Sequence, residues 1–283
     1  MLVAAYLTGA FCVAATGAWY RLNGKFAVEG MLMLRMGLFL PAILVPIQLF
    51  FGHLNGDYVH ERQLAKFAAI EGRWHDEQPA GEVFIAIPDE AKGENHFELK
   101  IPYLGSLIAS MRLDSKEIGL TSFPKQDRPP VVIPFFAFRA MVGCGLLMMA
   151  LAWLGSFHLL VRRKRGEWLL LWATFLSFPL PFVATLTGWF TAEVGRQPWS
   201  VYGALRTADA VTPTLTVQAV TLSLVIFVVV YLVIFSFGTL YVYRLLKAGP
   251  IEADHVGLAN PKRPLAVAGS SSVPQVAHEG SWT

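Results

Sequence analysis

The sequence predicts an all-α integral membrane protein with five transmembrane helices and an ordered outer loop domain between helices two and three. Three observations predict it. Of the 283 residues, 54% are hydrophobic and 15% charged, and the mean hydropathy of +0.49 lies outside the range of ordinary soluble domains. Five apolar stretches, residues 2–19, 31–52, 131–161, 168–191 and 215–243, meet the requirement of roughly 20 residues for crossing a bilayer. The intervening segment 53–130 is too long for a plain connection and has periodic patterns of its own.

The formal net charge of +3 is small and its basic residues are dispersed, so no nucleic-acid partner is indicated. Cys12 and Cys144 both fall inside apolar stretches, which argues against a disulfide framework or a thiolate zinc site. Lysine and arginine in short loops favour the cytoplasm. Arg21 and Lys25 lie between spans one and two, Arg162, Arg163, Lys164 and Arg165 between three and four, and Arg244 and Lys247 after span five. All three groups fall on one side. Residues 1–52 are therefore expected to form two spans, 53–130 an outward-facing loop, and 131–247 three spans. Residues 248–283, rich in Ala, Gly, Ser and Pro, are expected to form a disordered cytoplasmic tail. This topology puts Met1 at the outer surface, at the start of an apolar helix with no basic residues ahead of it, so the chain is expected to begin inside a longer protein.

Within the outer segment, GDYVHERQLAKFAAIEGRW spaces Leu64, Phe67, Ala68 and Ile70 as an amphipathic surface helix would. Two extended pieces follow, EVFIAIP and HFELKIP, each ended by a proline that cannot continue a ladder. YLGSLIASM then reads as a brief apolar helix apposed to membrane lipid. Lys66 and Glu71 are the polar residues singled out here. By composition they belong to an ordinary solvated helix face, and five residues apart they are not the best-placed ion pair. As functional groups they would bind the head group of a lipid-soluble substrate, with Glu71 accepting a proton.

Ionisable residues at membrane depth cost about 2.5 to 3.5 kcal/mol on insertion scales, so they pair, face a cavity or bind an ion. Glu193, in GWFTAEVGRQPW, lies near the C-terminal end of span four, where the helix dipole disfavours a carboxylate. A cation must offset this: Arg196 one turn on, or a metal. Trp189 and Glu193 are four apart and share a face. In FFAFRAM, Arg139 precedes Met141, whose thioether is a soft axial ligand type for haem iron, although a membrane methionine is ordinarily core filler.

These motifs carry a resemblance. GWFTAEVGRQPW resembles the signature of subunit I of the cytochrome bd quinol oxidases, FAFRAM is similar to that family's low-spin haem segment, and RQLAKFAAIEGRW resembles the start of its quinol loop. They occur in the family's order, and the likeness runs from residue 1 to about 247. It implies that Met141 is an axial ligand of low-spin haem b and that Arg139 lies near the same haem. It implies that Glu193 ligates iron in the high-spin site, where a second haem b and the chlorin haem d lie together. Trp189 and Arg196 would then flank those haems, the arginine meeting propionates, and Lys66 and Glu71 would be the pair associated with quinol oxidation.

The chain resembles only the last five of the family's nine helices, so it is expected to be the C-terminal portion of such a subunit. The histidine ligands that the family carries upstream are absent. His158 lies 17 residues beyond Met141 in sequence, about 25 Å along a helix, and cannot substitute. His53 and His60 read as solvent-exposed. The short stretch between IPYLGSL and FAFRAM resembles the short quinol-loop branch often termed cyanide-insensitive. The implied function is oxidation of quinol at the periplasmic face of a bacterial inner membrane and reduction of molecular oxygen to water. Its partners would be a second membrane subunit and the N-terminal half of subunit I. The competing expectation is a truncated, haem-free membrane scaffold without activity of its own.

Overall fold

The computed structural model describes residues 1–161, 166–212 and 214–250. The Arg162–Arg165 group, used above for orientation, and most of the tail expected to be disordered lie outside the described residues. The chain divides into two compact units, Met1–Ile234 and Phe235–Thr283.

Five membrane-length helical spans occur among the described residues, as expected. The first is α1 (Leu2–Leu22) and the second α2 (Ala27–Arg62), joined by a tight turn and closely packed. Their backbones approach because small residues face each other: a Cβ on Gly37 would stand 2.5 Å from the Ala14 nitrogen. Leu34 and Leu38 of α2 bury fully against Ala14 and Ala18. Pro46 inside α2 cannot donate to the Ala42 carbonyl one turn back, and the indole N–H of Trp153 supplies that hydrogen bond at 2.9 Å. A proline defect in the second span is thus repaired by the third.

That third span is α5 (Val132–Leu160), and the fourth consists of α6 (Glu167–Leu176) and α7 (Leu180–Gly195). The single helix expected over 168–191 is interrupted. Pro179 and Pro181 remove two backbone donors in succession, and Ser177 turns its hydroxyl back onto the Thr174 carbonyl at 2.7 Å. Arg21 pairs with Glu167, tying the end of α1 to the start of α6. The fifth span, α8 (Val217–Ala248), buries none of its residues among the described residues.

Between α2 and α5 lies an ordered loop domain. Helix α2 continues ten residues past the expected end at 52, and α3 (Leu64–Glu71) follows directly. The expected amphipathic surface helix is instead a buried one: Ala65, Ala68, Ala69, Ile70 and Glu71 are all enclosed. The small alanines let neighbouring elements close over the face that periodicity would have left in water. The two extended pieces form an antiparallel hairpin, β1 (Glu82–Asp89) and β2 (Glu94–Ile101). Pro88 does not end its strand but pairs opposite Asn95, which is tolerated at the edge of a two-stranded sheet. The Glu90 carboxylate at the hairpin tip accepts the Val131 and Val132 backbone N–H groups at 2.7 and 3.0 Å, capping the start of α5. A short helix, α4 (Leu104–Ser110), stands where YLGSLIASM was expected to be helical. Unanticipated by the sequence reading, a second small hairpin, β3 (Trp199–Val201) with β4 (Leu205–Arg206), follows α7. Arg206 fastens it by pairing with Asp127 at 2.5 Å.

Candidate functional site

Helix α3 ends in a Schellman turn: Arg73 N–H bonds the Ala68 carbonyl at 2.9 Å and Gly72 N–H bonds Ala69 at 3.2 Å, with Gly72 at φ +68°. A Cβ at Gly72 would also lie 2.7 Å from the Phe135 ring. Two constraints therefore make this residue a glycine. The turn drives both flanking side chains inward, Glu71 at 6% exposure and Arg73 at 4%. Arg73 Nη2 lies 2.5 Å from Glu71 Oε2, and Arg73 Nη1 lies 3.7 Å from Glu117 Oε2. Glu117 in turn meets His60 Nε2 at 2.8 Å and accepts the Ser115 hydroxyl at 2.9 Å.

Arg139, on α5, approaches the same cluster from the membrane side. Its guanidinium donates to the carbonyls of Phe84 and Ile70 at 2.9 Å and Phe135 at 3.0 Å, and also to that of Val83. It lies 3.8 Å from Glu82 and its Cζ is 3.5 Å from the centroid of the Phe135 ring. Burial raises the Glu71 carboxyl well above the usual carboxylate range. Arg73 opposes that shift, while Glu82 and Glu117 add to it. Burial raises Glu82 as well, against the pull of Arg139 and Arg73. Proton-binding carboxylates held by arginines are what an acceptor of substrate protons requires.

Lys66 and Glu71, considered together in the sequence, point to different neighbours. Lys66 reaches across to α7 and donates to the Ala192 carbonyl at 3.3 Å. Burial lowers its ammonium pKa, with Glu193 opposing and Arg196 contributing. At the end of α7, Arg196 Nε and Nη2 both contact Glu193 Oε2, each at 2.8 Å. The cation demanded by the dipole argument is thus in place. Glu193 Oε1 has no hydrogen-bond donor among the described residues.

One to two turns back along α7, Gly188 faces Met141, and a Cβ there would stand 2.9 Å from the thioether sulfur. Trp189 is 53% exposed, on the helix face it shares with Glu193. Gly143 and Gly145, just beyond Met141 on α5, have open space where a Cβ would point. The residues expected to serve haem thus fit a planar group: a thioether on a glycine-lined surface, and a carboxylate neutralised on one oxygen with the other available. No group of three or more His, Cys, Asp or Glu residues suited to a metal ion occurs among the described residues.

Sequence reasoning missed Arg73, Glu82, Glu117 and His60. Arg73 had a signal, lying two residues beyond Glu71 across a glycine. His60 was read as solvent-exposed, whereas the structure half-buries it against Glu117, with a side-chain exposure of 23%. No local pattern marks Glu117, because its ion-pair partners Arg73 and His60 lie 44 and 57 residues away in the chain.

Fold and site define a class: a five-span helical membrane protein whose buried acid and arginine cluster sits where an ordered loop domain meets the third span. Residues 1–250 match the family model described as cytochrome bd terminal oxidase subunit I, and the chain belongs to that family. It is 32% identical over 272 residues to the cytochrome bd ubiquinol oxidase subunit 1 of Bacillus subtilis, a match covering 90% of this chain and 56% of that protein. The cytochrome bd-II ubiquinol oxidase subunit 1 of Escherichia coli is 26% identical, over 88% of this chain and 61% of its own length. The structure of bd oxidase from Geobacillus thermodenitrificans aligns with a TM-score of 0.77 at 27% identity, over 88% of this chain and 57% of that one. The chain therefore spans somewhat over half the length of the relatives it matches.

Proposed function

We propose that this chain acts within a quinol:oxygen oxidoreductase of the cytochrome bd type, carrying the quinol-oxidising loop and part of the haem-binding framework. Quinol is oxidised beside Lys66 and Glu71 at the outer face of a bacterial cytoplasmic membrane, and its protons leave on that side. The observation that carries this reading is Glu71: a carboxyl buried to 6% exposure, its proton affinity raised, and held by Arg73 at the junction of α3, the β1–β2 hairpin and α5. Such a group takes a hydroxyl proton when the substrate gives up electrons. Lys66, tied to the end of α7, positions the quinol head group between the loop domain and the membrane helices.

Met141 would hold low-spin haem b. Glu193 would hold iron in the high-spin site, where haem b and haem d lie, with Arg196 and Trp189 beside it. When bound, haem supplies the one-electron transfer that links quinol oxidation to reduction of oxygen to water. The chain's own contribution is ligation, charge and access. Arg196 sets a positive charge beside Glu193 where the helix dipole is unfavourable, and Gly188 gives the Met141 thioether room against α7. Arg139, bound to carbonyls of the loop domain, fixes that domain over the span carrying Met141. The second oxidase subunit would cover apolar helix surface, and the short stretch between IPYLGSL and FAFRAM supports a short quinol-loop, cyanide-insensitive-like branch.

The test is Glu71→Gln in the assembled oxidase. Steady-state quinol oxidation is expected to fall at least about a hundredfold, while chemical reduction by dithionite still gives the full haem spectrum. Undiminished quinol turnover in that variant would contradict the assignment.

A further inference from the structure

The Glu71 side chain is enclosed to 8% exposure at the end of α3, so a proton it accepts needs an exit. Four groups form an unbroken sequence of contacts away from it: Glu71 to Arg73 at 2.5 Å, Arg73 to Glu117 at 3.7 Å, and Glu117 to His60 at 2.8 Å. Exposure rises only at the far end. The Arg73 and Glu117 side chains are each 3% exposed, and His60 is 23% exposed. We propose that Glu117 and His60 form the outlet through which a proton leaves the buried cluster around Glu71 for the outer solvent. This inference rests on the assignment of Glu71 as the proton acceptor.

Charge supports the route. Three carboxylates, the buried Glu71 and Glu117 and the half-buried Glu82, share two guanidiniums, Arg73 and Arg139. With every acid ionised the cluster carries one uncompensated negative charge, and one bound proton removes it. A low-dielectric site therefore holds one proton and tolerates a second poorly. Each proton delivered displaces one outward. Arg73 orients the two acids on either side of it.

The transfers balance. The substrate O–H bond breaks and its proton joins a Glu71 carboxylate oxygen, the electrons leaving separately to the redox groups. Glu71 then gives the proton to Glu117 through a bridging water. The Glu117 O–H bond breaks as an N–H forms at His60 Nε2, and the imidazolium releases the proton to bulk water. Histidine suits the last step because one imidazole nitrogen can accept a proton while the ring passes one on to water.

The groups facing this outlet are few. Glu117 meets His60 from α2, Arg73 from the turn after α3, and Ser115 from its own segment. His60 meets Glu117 and the edge of the Phe67 ring, whose centroid is 4.8 Å away, with Glu61 and Arg62 adjoining it in the chain. A purely structural His60 would also hydrogen-bond Glu117, so the test must read proton movement.

The experiment compares His60→Ala, His60→Gln, Glu117→Gln and Glu71→Gln in the assembled oxidase, recording quinol oxidation against pH in water and deuterium oxide. His60→Ala is expected to lower kcat about tenfold with KM unchanged, to enlarge the solvent isotope effect, and to recover on addition of imidazole. Glu117→Gln preserves shape and is expected to give the same loss without imidazole recovery. If His60→Ala fails to assemble, His60→Gln, which can still hydrogen-bond Glu117 but cannot carry a proton, is read in its place. Wild-type rates and pH profiles in the His60 and Glu117 variants, beside an inactive Glu71→Gln, would overturn the outlet alone. An active Glu71→Gln would overturn the reading on which it rests.

Discussion

Arg139 shows how one side chain can fix a domain to a membrane helix. Its guanidinium donates to the carbonyls of Ile70, Val83, Phe84 and Phe135, drawn from α3, β1 and α5, and its planar face lies on the Phe135 ring. Lysine keeps the charge but presents one nitrogen with three donors, which cannot span four carbonyls. Arg139→Lys is therefore expected to cost about 2 to 4 kcal/mol, seen as a fall of several degrees in the unfolding midpoint of the solubilised protein. An unchanged midpoint would show that the carbonyls are satisfied without it. At this scale, legibility follows sequence separation. Glu193 and Arg196 sit three apart on one helix, and their pairing was readable from spacing and the dipole alone. Three of the carbonyls that Arg139 holds come from 55 to 69 residues upstream, and nothing in FAFRAM announces them. Its expected place beside a haem thus rests on the resemblance, while the contacts seen serve the loop domain.

The elements of the loop domain divide in the same way. The extended character of 82–101 and the short helix at 104–110 were legible from composition and prolines. The burial of α3 was not, because alanine is compatible with either environment and only the tertiary neighbours decide. Nor was the break between α6 and α7 foreseen, although Pro179 and Pro181 were its visible cause. The turn that closes α3 bears the greatest functional consequence, since it aims Glu71 and Arg73 into the cluster. Gly72→Val requires a β-branched residue at φ +68° and places Cβ in the Phe135 ring. The left-handed conformation alone costs about 1 to 2 kcal/mol, and the clash adds to it. Hydrogen exchange over residues 64–74 is expected to accelerate in this variant while α1 and α2 stay protected; an unaltered exchange pattern would mean the turn tolerates a side chain.

For the whole molecule, hydropathy was sufficient to define five spans, because in lipid every backbone donor must be satisfied within a helix. Assembly was less legible. Helix α8 runs for 32 residues and buries none of them among the described residues, and the chain matches somewhat over half the length of its relatives. The account depends most on Met141 and Glu193 serving different haems, since Gly188, opposite Met141, and Glu193 are separated by five residues, about 7.5 Å along α7. The most direct measurement is the reduced-minus-oxidised absorption spectrum of the assembled oxidase carrying Glu193→Ala or Met141→Leu. The account predicts loss of high-spin bands with low-spin haem b retained in the first, and loss of the low-spin band in the second. A Glu193→Ala spectrum identical to that of the parent would contradict it.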